Sequence, residues 1–113
     1  MRSVGIPARQ VYAPRWSHCD DNHAWVEVWC EGDWYFLGAC ESLPILNKGW
    51  FTNASSRAMM VHSRCFDTTG FEEENIDREG MVAVFNELKR YAAVKKIQVQ
   101  VVDGDKNPVS GAK

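Results

Sequence analysis

The run His23-Ala24-Trp25-Val26-Glu27-Val28-Trp29-Cys30 turns back through Glu31-Gly32-Asp33 into Trp34-Tyr35-Phe36-Leu37, and it constrains this chain more than any other segment. Strict two-residue alternation followed by a glycine-centred turn is the pattern of a β-hairpin. Read in steps of two, His23, Trp25, Glu27 and Trp29 share one face of the first strand. Ala24, Val26, Val28 and Cys30 share the other. That second face is wholly apolar, so it is expected to lie on a core. The first face gathers an imidazole, a carboxylate and two indoles, which a strand kept only for packing does not need.

A two-residue turn would make facing residues sum to an odd number. His23 would then share its face with Gly38 and Cys40, and Glu41 would point away. A bulge or a three-residue turn would reverse that assignment. Glu27 stands four residues along the strand from His23, roughly 13 Å away at the usual rise, too far for a direct bond. Trp25 and Trp29 are expected to wall a cleft beside the histidine.

Length, charge and composition narrow the classes. A chain of 113 residues is enough for one small domain. With a formal net charge of -2 and scattered Lys and Arg, nucleic acid is not an expected partner. The apolar runs fall far short of membrane-spanning length, so no membrane partner is expected either. Both ends of the sequence are abrupt, as in a piece of a longer protein.

Elsewhere the chain reads as follows. Residues 6–12 form a strand that Pro14 ends. Residues 15–22 are loop-like. Residues 55–62 are a short helix or a buried strand. The acidic stretch 68–80, densest at Glu72-Glu73-Glu74, is a solvated loop. Residues 82–96 have helix-favouring composition but abut strand-like alternation. Ile97, Val99 and Val101 alternate with Gln98 and Gln100 as a half-buried strand, and a turn follows at 103–108.

Cys19, Cys30, Cys40 and Cys65 match no zinc or redox spacing. Two disulfides or four small buried apolar residues both fit the count, and Cys30 falls on the apolar face. His18, Cys19, Asp20, Asp21 and His23 cluster in sequence, but the spacing is not that of a metal site, and neither metal nor cofactor is expected. Cys19 as a nucleophile for His23 lacks a helix N-terminus to lower its pKa.

Three segments, in order, carry a resemblance: Gly5-Ile6-Pro7-Ala8-Arg9-Gln10-Val11, then His23-Ala24-Trp25-Val26-Glu27-Val28-Trp29, then Gly32-Asp33-Trp34-Tyr35-Phe36-Leu37. Together they resemble the core of the transglutaminase-like superfamily over about residues 3 to 42. The stretch 16–22, with Gly38-Ala39-Cys40-Glu41 and Gly49-Trp50-Phe51, is similar to a bacterial subgroup and extends the likeness to residue 66. The resemblance implies an α+β fold, a papain-like antiparallel sheet of which 1–66 is the C-terminal part of the core. It implies a cysteine hydrolase or acyltransferase in which a histidine deprotonates a cysteine at a helix N-terminus. The thiolate attacks a peptide or amide carbonyl, and the acyl group passes to water or to an amine.

By this resemblance His23 is the catalytic base, and the nucleophile precedes the GIPAR strand, in a segment outside this sequence. Aligning Trp34 with the family tryptophan places Gly38 where the orienting aspartate usually stands. Glu41, the nearest downstream carboxylate, is the favoured substitute; a group at Cys40 is the other. Arg9 resembles a buried structural arginine of the family. The expected partners are a peptide or protein substrate and the remaining domains of the same polypeptide, and the expected location is extracellular or periplasmic.

Residues 97–112 resemble the first strands of a carboxypeptidase regulatory-like or Ig-like β-sandwich. That resemblance implies a second domain from about residue 96, joined by a connector over 67–95. The Gly38 departure supports another reading, a binding or structural domain that retains the fold without a complete triad. For the 113 residues alone, marginal stability and no turnover on amides are expected.

Overall fold

A computed structural model describes residues 1–66 and 74–112. Its strands are β1 (Ala8–Ala13), β2 (His23–Cys30), β3 (Asp33–Leu37), β4 (His62–Cys65), β5 (Glu74–Glu79) and β6 (Val82–Asn86). They form one antiparallel sheet in the order β3-β2-β1-β4-β6-β5. Helix is sparse: α1 (Thr52–Ser55) and 3-10 turns at Arg2–Val4 and Leu88–Arg90. The fold is therefore β-rich.

The hairpin forms as the alternation predicts. Cys30 pairs with Asp33 and Trp29 with Trp34, leaving Glu31 and Gly32 as a two-residue turn. Both have positive φ, 50° and 89°, as a type I′ turn requires, and only the glycine takes that conformation without steric cost. On the other side of β2, Arg9 pairs with Glu27, Val11 with Trp25 and Ala13 with His23.

The core lies on the opposite face from the one the apolar pattern predicts. Trp25 and Glu27 are fully buried, together with Arg9, Val11 and Ala13. Val28 is buried on the other face, but Ala24 and Val26 are only half-buried and Cys30 is exposed. The reason is volume and charge pairing. The Trp25 indole packs with Val11, Trp16, Phe51 and Val61 into one cluster. Glu27 is held by cationic and hydroxyl partners that make its burial tolerable.

Those partners come from far along the chain. Arg9 Nε donates to Glu27 Oε2 at 2.6 Å, and Arg9 Nη2 donates to Glu87 Oε2 at 2.9 Å. Ser63 Oγ donates to Glu87 Oε1 at 2.6 Å. The Tyr91 hydroxyl donates to Glu27 Oε1 at 2.5 Å and accepts from Trp25 Nε1 at 2.8 Å. Burial, then the charge of Glu27, pushes the Tyr91 phenol well above its ordinary value.

Other expectations change on folding. Residues 82–86 are strand β6 although the longer run 82–96 has a helix-favouring composition, because pairing with both β4 and β5 overrides that propensity. They continue the same sheet, within the segment expected to be a connector. Residues 74–79, expected as loop, are an exposed edge strand, while residues 68–73 of that acidic stretch lie outside the described residues. The segment 55–62 divides between the end of α1 and the start of β4. Ile97, Val99 and Val101 are exposed rather than half-buried. The 103–108 turn does form, with Asp103 Oδ1 accepting from the Asp105 and Asn107 amides and a bridge between Val102 and Pro108. Cys19, Cys30 and Cys40 are free and exposed, and Cys65 is buried.

Candidate functional site around His23

His23 is the first residue of β2, at the end of the core face, opposite the buried Ala13. The loop before it is closed by a bond from the Trp16 amide to the Asp21 carbonyl, 2.9 Å. This closure turns Trp16 inward, where it is buried and stacks on both Trp25 and His23, with centroids at 6.4 and 6.3 Å.

The opposite wall comes from the segment leading into α1. The Gly49 amide donates to Thr52 Oγ1 at 3.0 Å, and Thr52 Oγ1 donates back to the Gly49 carbonyl at 2.8 Å. A Cβ on Gly49 would stand 2.7 Å from the Phe51 ring, so only glycine allows this approach. The stapled turn sets Trp50 and Phe51 against the imidazole at 4.6 and 4.9 Å between centroids. Phe51 is fully buried; Trp50 is 61% exposed. Four aromatic rings thus surround His23, with Trp25 at 5.9 Å as the fourth. Trp29 is not among them: it packs edge-on against Trp34 at the far end of the hairpin.

Glu41 reaches the histidine despite the two-residue turn. The parity argument holds as far as Leu37, where β3 ends, and the chain then leaves the sheet. Glu41 Oε1 lies 3.4 Å from His23 Nε2, with side-chain exposures of 42% and 18%. The contact is electrostatic and not an aligned hydrogen bond, since buried Nε2 has no hydrogen-bond partner among the described residues. Glu41 Oε2 accepts from the Cys40 amide at 3.3 Å. A Cβ built on Gly38 would meet Glu41 Oε1 at 3.0 Å and the Glu41 carbonyl at 3.1 Å. The Glu41 carboxylate therefore occupies the space a side chain at position 38 would enter.

The structure brings His23 and Glu41 together and leaves Glu27 in the Arg9 network. Cys30 is at the opposite end of β2, roughly 23 Å along the strand from His23. Cys65 is buried in a separate cluster with Ala83 and Phe85. Among the described residues no group of three His, Cys, Asp or Glu side chains is placed to hold a metal ion, and no helix is long and apolar enough to cross a membrane. Sequence reasoning missed Trp16, Trp50 and Phe51 as walls. The glycine before the Trp50-Phe51 pair was the available signal, because it marks a close approach. It also missed Glu87 and Tyr91, whose roles depend on contacts of 64 to 78 residues' separation.

Comparison with curated proteins gives no match, and neither does comparison with solved structures. Residues 1–39 match the family model described as the transglutaminase-like superfamily, a span that contains β1, β2 with His23, and β3, and that ends before Glu41.

Proposed function

We propose that this chain carries the base and the orienting acid of a transglutaminase-like cysteine hydrolase acting on peptide or amide bonds. The observation that carries the proposal is the approach of Glu41 Oε1 to His23 Nε2. An acid beside one ring nitrogen fixes the orientation of the imidazole, which leaves Nδ1 to take a proton from a thiol. The family match over residues 1–39 supports the cysteine-hydrolase class. Gly38 supports the substitution of Glu41 for the family aspartate, because the glutamate carboxylate lies where a side chain at 38 would go. The thiol is assigned to a segment ahead of the GIPAR strand, and the papain-like arrangement of that segment on this sheet belongs to the same proposal. The proposed partners are a peptide or protein substrate and the neighbouring parts of one polypeptide; the proposed setting is bacterial and exported.

The proposal is tested in the polypeptide that includes the upstream segment. His23→Ala is expected to abolish peptide-amide turnover, and Glu41→Gln to lower kcat on the order of 10²- to 10⁴-fold. Full activity in His23→Ala would sink the proposal. The 113 residues alone are expected to be inactive; turnover by them that vanishes in Cys19→Ala or Cys40→Ala would move the nucleophile into this chain. A non-catalytic binding domain is the second reading, and the missing hydrogen bond on Nε2 favours it. Unaltered substrate binding with no turnover in the longer polypeptide would decide for it.

A further inference from the structure

The other face of the sheet carries a second polar cluster, distant in role from His23. Tyr12 on β1 pairs with His62 on β4, and the same register sets Gln10 beside Arg64. These four side chains line a small cavity of about 180 Å³. His62 is 9% exposed, yet its Nδ1 is buried without a hydrogen-bond partner. The Tyr12 ring meets the imidazole edge-on at 5.5 Å. Arg64 is exposed and makes no hydrogen bond or ion pair among the described residues. Among the described residues the lining holds a guanidinium, an imidazole, a phenol and an amide, and no carboxylate.

Such a set carries a cation with no anion to match it. An unpaired guanidinium offers a planar fork of donors suited to a carboxylate or phosphate. The part of the His62 imidazole that lines the cavity adds a second donor once the ring is protonated. We propose that the Gln10–Tyr12–His62–Arg64 cavity binds a single small oxyanion group, with Arg64 as its fork and His62 as a second donor. Burial and the Arg64 charge hold the His62 pKa below its ordinary 6.5. A bound anion opposes both effects and draws a proton onto the ring. Among the described residues the charged and titratable groups facing His62 are Tyr12 from β1, Arg64 from its own strand and Asp77 from β5, which shares the adjoining cleft with Val84 and Asn86 of β6.

The test is a proton NMR titration of His62 in the 113-residue chain, in sodium chloride, acetate and inorganic phosphate at one ionic strength. Acetate or phosphate is expected to raise the His62 midpoint by about one pH unit over chloride. A larger rise with acetate identifies a carboxylate-bearing ligand, and a larger rise with phosphate identifies a phosphate ester; either supports the site. Arg64→Gln removes only an exposed side chain and is expected to abolish the anion-dependent rise, with the remaining spectrum unchanged. A midpoint that is the same in all three salts overturns the proposal, as does an undiminished rise in Arg64→Gln.

Discussion

The two acid-base assemblies on the core face of this sheet are built to different standards. Around Arg9, two carboxylates, a phenol, a serine hydroxyl and an indole are closed into one buried network in which Arg9 and Tyr91 hold Glu27, and Arg9, Ser63 and Arg90 hold Glu87. Around His23, one imidazole meets one half-exposed carboxylate at 3.4 Å, and its buried nitrogen is unsatisfied. The first arrangement ties β1, β2 and β4 to the segment 87–91 and leaves nothing available for chemistry. The second leaves the His23 Nε2 without a hydrogen bond among the described residues.

Removing the centre of the first network is the most severe way to break this contrast. Arg9→Met takes the cation from buried Glu27 and leaves Glu87 with Arg90 at 3.4 Å, and it is expected to cost about 3–5 kcal/mol in urea denaturation. A loss below about 1 kcal/mol would show that the network is not what holds the strands together. Tyr91 offers a second probe through pH. Its folded-state pKa is raised above the unfolded value of 10.0, so its contribution is fully present below pH 10 and is lost as pH rises beyond it. Thermal midpoints should fall on that alkaline limb, and less steeply in Tyr91→Phe; equal slopes would refute the assignment.

His62 has the opposite sign. Its folded pKa is lowered from 6.5, so the unfolded chain takes up the proton more readily. Stability from this group is present above pH 6.5 and declines as pH falls below it. In His62→Gln that part of the acid limb should disappear. The smallest effect is expected at the candidate site itself. Glu41→Gln removes a half-exposed charge and should change stability by no more than about 0.5 kcal/mol, whatever it does to turnover. A change above about 2 kcal/mol would place Glu41 among the structural groups and erase the contrast.

The hairpin, its turn and the position of His23 were legible because period-two alternation and a Glu-Gly turn are local signals. The buried face was misread for a reason of the same kind. On β2 alone, Ala24, Val26, Val28 and Cys30 look like the core side, and the carboxylate of Glu27 argues against burial. Its neutralising partner Arg9 is 18 residues away, and the Tyr91 donor is 64 residues away. Strand β6 was obscured likewise, since the Ala, Leu, Glu and Lys of the longer run 82–96 favour helix and only the two strands flanking 82–86 decide otherwise. The approach of Glu41 to His23 depends on where β3 stops, which no parity rule contains.

Gly38 and Glu41 together impose an order on sequence change. An aspartate introduced at 38 while Glu41 is present would drive its Cβ into the glutamate carboxylate at 3.0 Å and into the Glu41 carbonyl at 3.1 Å. Shortening Glu41 first removes the carboxylate contact and leaves only the carbonyl to shift by a few tenths of an ångström. That route passes through a chain with no acid beside His23. The two positions therefore share one space, and what fits at 38 depends on where the Glu41 carboxylate sits.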